Sequence, residues 1–455
     1  MMLHFKKIYG LLLSASFLAV SFVGPAQAEG INLIRDAEIE GLLRLYSRPI
    51  FQAAGINPAA AKVYVIADPS INAFVAGGQR IFINTGLITR SDSPNEVIGV
   101  LAHESGHIAG GHLAKMNSEI AHASTEHIVG MLIGAAAIVG GIASHNTEAA
   151  RAGQGVMLGS ASLAQRGFLS YQRGMESTAD QSALKYLAAT GQSAKGMLTL
   201  FNLLANESLA STTNADPYLY SHPMPFDRIR TLEAAAKASP YFDKPDDPAL
   251  LLRHKLARAK LAGFMLSAQD VFQKYPSTDN SLPARYARGI AMFRRGDLKN
   301  AIPVIDSLTA DLPQDPYFWE LKAQAYLENG HAELGLPAIK KARVLLPNNG
   351  LLMALEAQVL LGNDNAAHAD EALAMLREAK KTEEDMPAIY KYTAQAYALK
   401  NDVPRAELAT AEYAWLTGDT KLAIEKATVA QNYFKRGTPE WLRASDLLNF
   451  ANHKN

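Results

Sequence analysis

The chain has 455 residues, its 44 Lys and Arg are balanced by 44 Asp and Glu, and it contains no cysteine. A neutral chain lacks the basic footprint of a nucleic-acid binder, and one without cysteine forms neither disulfides nor a thiol-linked lipid anchor. Its length exceeds what a single core usually organises, so two domains are expected after any leader.

Lys6 and Lys7 are followed by an apolar run over residues 8–23, and Ala26-Gln27-Ala28 precedes Glu29. This is the pattern of a secretory signal peptide, with cleavage expected after Ala28. The apolar run is short for a membrane span, so a soluble periplasmic protein starting near residue 29 is the expectation.

Over residues 36–54 apolar side chains recur at helical spacing (Ile39, Leu42, Leu43, Leu45, Tyr46, Ile50), predicting an amphipathic helix. Residues 62–66, 72–76 and 79–84 are rich in Val, Ile, Tyr and Phe, and predict a small sheet, antiparallel in part, with Gly77-Gly78 as a hairpin turn. Ser93-Pro94-Asn95-Glu96 combines a capping box with proline at the first helical position, so a helix starts there and carries residues 103–107. A further helix is predicted over residues 168–190, with Gly191 as its stop.

From about residue 249 the chain is alanine-rich and helical in pattern. Pro313 and Pro347 lie 34 residues apart, and aligning on them stacks Gly289 on Ala323 and Ala357, Met292 on Tyr326 and Leu360, and Ile305 on Ile339. That period and alternation of small and large residues resemble tetratricopeptide repeats, with another copy expected through Ala394, Tyr397 and Ala406. The fold expected is an α+β zincin-like metallopeptidase domain, mostly helical with a small sheet, over residues 29–248. An all-α tetratricopeptide-repeat solenoid follows over residues 249–455.

The chemistry concentrates in His103-Glu104-Ser105-Gly106-His107, an H-E-x-x-H sequence. Residues four apart share a helix face, so both imidazoles reach one metal while Glu104 sits beside the water that the metal activates. Zinc, one ion per chain, suits such donors, and Glu104 is the expected general base. Two residues compete to be the third ligand. His112 lies one position short of the extended metzincin spacing, which falls on Leu113. Glu176 belongs to Glu176-Ser-Thr-Ala-Asp180, whose two carboxylates sit one turn apart on one helix face. Glu176 as ligand and Asp180 as the acceptor that orients a ligating histidine, or as an aid to proton transfer, is the preferred reading.

With Asn84-Thr85-Gly86-Leu87, the stretch from His103 to His112, and Glu176 to Asp180 together, the chain resembles the gluzincin metallopeptidases that include HtpX and the CAAX-prenyl proteases. Leader, peptidase domain and repeats together look like the periplasmic β-barrel assembly-enhancing type. That resemblance implies a zinc endopeptidase acting in outer-membrane protein quality control. The implied partners are unfolded or misassembled envelope proteins and, through the repeats, the β-barrel assembly machinery. It also implies that His222, in Ser221-His222-Pro223, is an inhibitory fourth ligand; a plain loop histidine is the alternative. Arg228 supports either that loop or an oxyanion. Residues 128–143 form an apolar stretch too short to span a bilayer, read as a buried hairpin helix ahead of a peripheral membrane contact. His122, His127 and His145 have no ligand spacing. The strand over residues 79–84 is the expected edge against which an extended substrate lies. A rival function is a chaperone or scaffold for outer-membrane protein assembly with a latent, His-capped site.

Overall fold

The computed structural model describes residues 32–115, 163–210, 222 and 226–452. The leader, residues 128–143, Ser221, Pro223 and the histidines at 122, 127 and 145 lie outside the described residues.

A short strand β1 (Leu33–Ile34) leads into helix α1 (Ala37–Ala53), whose start is capped by Asp36 accepting from the Ile39 backbone N–H. Of the apolar residues expected to form the stripe, Ile39, Leu42, Leu43, Tyr46 and Ile50 are buried, whereas Leu45 is exposed, because it falls off the Leu42–Tyr46 face of the helix. Strands β2 (Lys62–Ile66), β3 (Ala73–Ala76) and β4 (Arg80–Asn84) complete a sheet of order β1-β2-β4-β3, in which β2 and β4 run parallel and the other pairs antiparallel. Gly77 and Gly78 both have positive φ, as the tight β3–β4 turn requires.

The predicted edge strand is corrected by this order. Residues 80–84 form β4, an interior strand bonded on both sides, and among the described residues the edge beyond it belongs to β3. The reason is topological: the crossover from β2 returns the chain beside β3 and places β4 between the two, which the composition of a short strand does not encode. One sheet face buries Val65, Ala73, Ile81 and Ile83, and the other carries a half-buried stack of Tyr64, Phe82 and Phe74, each neighbouring pair 5.3 Å between ring centroids.

After the short α2 (Thr85–Arg90), helix α3 (Pro94–Ala109) begins at Ser93 with Pro94 in its first turn. The capping box is only partly realised: the Ser93 hydroxyl makes no cap bond, and Glu96 accepts from the Asp92 backbone N–H at 3.3 Å. Every residue from Pro94 to Gly106 is buried, so α3 is a core helix covered on all sides, not an amphipathic surface helix. It packs against α1, α4 (Leu163–Ala189) and α5 (Lys195–Ala210), and α6 (Phe226–Lys237) closes over α4 and α5. Gly191, at φ +63°, ends α4 as expected.

The remaining chain is helical: α7 (Pro248–Met265), α8 (Ala268–Lys274), α9 (Leu282–Arg294), α10 (Leu298–Asp311), α11 (Pro316–Glu328), α12 (Ala332–Leu345), α13 (Gly350–Leu360), α14 (Ala369–Lys380), α15 (Pro387–Leu399), α16 (Val403–Leu416), α17 (Thr420–Tyr433) and α18 (Pro439–Asn452). Helix starts at Leu282, Pro316 and Gly350 keep the 34-residue spacing, as do those at Leu298 and Ala332. Ala323, Ala357, Ile305 and Ile339 are all fully enclosed, so the aligned positions share the same core role.

The N-terminal helix is tied to these later helices. Ala37 joins a core cluster with Tyr317, Ile339 and Leu352. Buried Lys260 on α7 lies 2.7 Å from Asp36, 3.4 Å from Glu38 and 3.4 Å from Glu320, while the Tyr286 hydroxyl donates to Glu38 at 2.7 Å. Burial raises Glu38 to about 7, against the pull of Lys260, and does the same to Glu320.

Candidate metal centre

Helix α3 presents His103 and His107 one turn apart on its face towards α4, and α4 presents Glu176 and Asp180 with the same spacing. The helices approach closely because the facing residue is Gly106: a Cβ there would stand 2.8 Å from the Ala179 carbonyl oxygen and 2.9 Å from its Cα. Any larger side chain at 106 pushes the two halves of the site apart.

Four residues converge. One ligand atom each from His103, His107, Glu176 and His222 lies within 4.8 Å of all the others. His107 Nε2 is 3.1 Å from His103 Nε2 and 3.3 Å from Glu176 Oε1, and His222 Nδ1 is 3.1 Å from the same oxygen. His103, Glu176 and His222 are buried and His107 nearly so. Of the two competing third donors, Glu176 is the one that stands in this cluster. His112 is not in the cluster: its Nδ1 sits 3.0 Å from Nδ1 of His107, on the far side of that ring from Nε2.

The outer partners differ for each histidine. His103 Nδ1 lies 3.0 Å from Asp180 Oδ1, and its ring meets Phe201 edge-on at 5.9 Å. Arg228 grips Asp180 with two N–H groups, Nε to Oδ2 at 2.5 Å and Nη2 to Oδ1 at 2.8 Å, and places Nη1 2.9 Å from Glu176 Oε2. Arg228 therefore neutralises both α4 carboxylates, a role the sequence left undecided. Phe201 carried no sequence signal, because an aromatic residue on a buried stripe of α5 looks like any other core residue.

Glu104 is enclosed, and neither carboxylate oxygen has a hydrogen-bond partner among the described residues; His222 Nε2 lies 3.4 Å from Oε1. Burial pushes its carboxyl above the ordinary value, opposed by His222 and His103. Burial alone would lower His103, but Asp180 and Glu176 outweigh it and raise it to about 9; His107, lacking a carboxylate on its outer nitrogen, is lowered by burial to about 3. Glu176 is held far below the usual carboxylate range: burial opposes this, and contacts from His103, His107 and His222 prevail.

The donors fit a divalent ion of the zinc type. They are imidazole nitrogens and a carboxylate, nearly all the convergent atoms are enclosed, and a buried carboxylate whose oxygens accept no hydrogen bond among the described residues stands beside them. A helix-borne pair of histidines completed by a glutamate of a second helix defines a metallopeptidase.

Comparison with known proteins carries the assignment further. Residues 42–236 match the model of peptidase family M48, and that match, with the relatives' names, supports a metallopeptidase. Proteins named beta-barrel assembly-enhancing protease from Yersinia pestis and Escherichia coli K12 are 24% and 22% identical over 84% of this chain and 76% of their own length. A Vibrio cholerae relative is 28% identical over 56% of this chain, and the chain spans only 52% of that protein.

Proposed function

We propose that the chain is a zinc-dependent endopeptidase of the bacterial envelope that acts on unfolded or misassembled outer-membrane proteins. The observation that carries the catalytic part is Glu104, an enclosed carboxylate without a hydrogen-bond partner beside four convergent metal donors. A structural carboxylate in such a place would be paired, because burying one unpaired is costly.

His103, His107 and Glu176 would hold the ion. When bound, it supplies Lewis-acid polarisation of the scissile carbonyl and makes a water molecule acidic enough to attack. Glu104 takes the proton from that water and passes it to the leaving amine nitrogen. Asp180 fixes the tautomer and tilt of His103, and Arg228 keeps Asp180 ionised and in place. An extended peptide would pair with the edge of β3 that is unpaired among the described residues, through main-chain bonds that tolerate varied sequence.

His222 stands in the same four-donor set, and with all four donors engaged it would occupy the place that water needs on a bound ion. We read it as a latch that must withdraw before substrate binds. The 34-residue recurrence of helix pairs supports tetratricopeptide repeats over residues 249–455 after a peptidase domain at 29–248, with the repeats recruiting substrate or the β-barrel assembly machinery. The relatives' names support that setting, and with it a periplasmic location after removal of residues 1–28. The latched site also favours a second reading, a scaffold for outer-membrane protein assembly that cleaves rarely.

Bound metal and casein cleavage measured together test this. Glu176→Ala should lose zinc, Glu104→Gln should keep zinc and lose cleavage, and His222→Ala should cleave faster. Retention of zinc by Glu176→Ala sinks the ligand set; a Glu104→Gln protein that still restores envelope assembly in a deletion strain favours the scaffold.

A further inference from the structure

The H-E-x-x-H helix does not end where its ligands end. Its last turn is followed by Gly110-Gly111, and Gly111, at φ +63°, takes the left-handed conformation that turns the chain back on itself. The residue delivered by that turn is His112. Its imidazole lies against Gly110, so closely that a Cβ on Gly110 would meet His112 Nε2 at 2.3 Å and Cδ2 at 2.7 Å. It is 6% exposed, stands edge-on to His107 with ring centroids 4.9 Å apart, and places Nδ1 3.0 Å from Nδ1 of His107. Two glycines, one permitting the turn and the other the close seat, thus serve a single contact.

The direction of that contact follows from the other face of the His107 ring. Nε2 points into the donor cluster, so in the state that binds a cation Nε2 must carry a free lone pair and the ring proton must sit on Nδ1. Nδ1 then donates, and the atom it meets, Nδ1 of His112, must accept.

We propose that His112 is a positioning residue of the metal centre, a neutral imidazole acceptor that fixes the tautomer and orientation of His107. The two ligating histidines are then held by different chemistry. His103 faces the anionic Asp180, which strengthens it as a donor; His107 faces an uncharged ring, which orients it without adding another negative charge beside Glu104 and Glu176. His112 is neither a ligand nor a filler of space.

The inference rests on reading His107 as a ligand, and the experiment separates the two. Zinc affinity of the full-length protein is measured by competition with a chromophoric chelator for wild type, His107→Ala, His112→Phe and His112→Asn, with circular dichroism as the check on folding. Phenylalanine keeps the ring and removes the acceptor; asparagine places Oδ1 where Nδ1 stands. His112→Phe should lose roughly tenfold to hundredfold in zinc affinity, while His112→Asn stays within about threefold of wild type. Wild-type affinity in His112→Phe, with His107→Ala devoid of zinc, overturns the proposal and leaves the ligand set intact. Zinc retained by His107→Ala overturns both. Should His112→Phe fail to fold, long-range ¹⁵N–¹H correlation on zinc-loaded, histidine-labelled wild type decides: the proposal requires unprotonated Nδ1 on His112 and protonated Nδ1 on His107, and the reverse pattern refutes it.

Discussion

Asp180 Oδ1 lies 3.0 Å from His103 Nδ1 while both oxygens of the same carboxylate accept from Arg228, so an arginine of α6 orients a histidine of α3 through an aspartate of α4. The aspartate's carboxyl stays below its ordinary pKa: burial opposes this, and Arg228 and then His103 outweigh it. Asp180→Asn should therefore weaken metal binding by roughly tenfold to hundredfold without removing a ligand. Equilibrium competition with a chelator measures it, and unchanged affinity would show that His103 is held by packing alone.

Glu104→Gln is expected to separate catalysis from stability. Cleavage should fall by at least about 10²-fold, the contribution typical of a positioned base. Thermal stability of the metal-free protein should hold or rise, because the substitution removes a buried carboxylate whose oxygens accept no hydrogen bond among the described residues and whose contact with His222 Nε2 is long, at 3.4 Å. A melting temperature several degrees lower would mean that Glu104 has a structural partner.

Gly106→Val should damage the site from a position that touches no ligand. Its side chain would press on the Ala179 backbone, where α4 cannot yield without moving Glu176 and Asp180. A cost of about 1–3 kcal/mol in stability is expected, the range for overpacking. Chemical denaturation and zinc titration should shift together.

The Lys260 network sets a pH dependence whose sign is fixed. Glu38 titrates near 7 in the folded chain against an ordinary 4.5, so the native protein keeps a proton that the unfolded chain releases between those values. Stability is fully present below about 4.5 and falls as pH rises through 7, by at most on the order of 3 kcal/mol for this group. Denaturation midpoints at pH 5 and pH 8 check this, and Glu38→Gln should shrink the difference.

Removing the cation instead, as in Lys260→Met, leaves Asp36, Glu38 and Glu320 facing one another in the interior, at a cost of about 3–5 kcal/mol. Circular dichroism in denaturant reads the loss directly.

Much of the site was legible because a helix converts sequence spacing into a shared face. His103, Glu104 and His107, and separately Glu176 and Asp180, needed only the rule that residues four apart lie together. His222 came from resemblance, and its arrival beside Glu176 and Glu104 depends on a chain return that no local pattern specifies. Arg228 was visible as a charged residue with two candidate roles; only its geometry shows that it serves the α4 carboxylates.

Local, short-range physics thus lay in the sequence: helix faces, proline and glycine punctuation, the hairpin turn, the 34-residue period, and the residue types that suit a zinc-type ion. The tertiary structure alone decided which strand is the edge, which of His112 and Glu176 joins the cluster, and how N-terminal Asp36 and Glu38 come to share Lys260 with Glu320. Those outcomes depend on which distant backbones are allowed to touch, at Gly106 and Gly110 above all, and contact between segments far apart in the chain is set by the packing of the whole core.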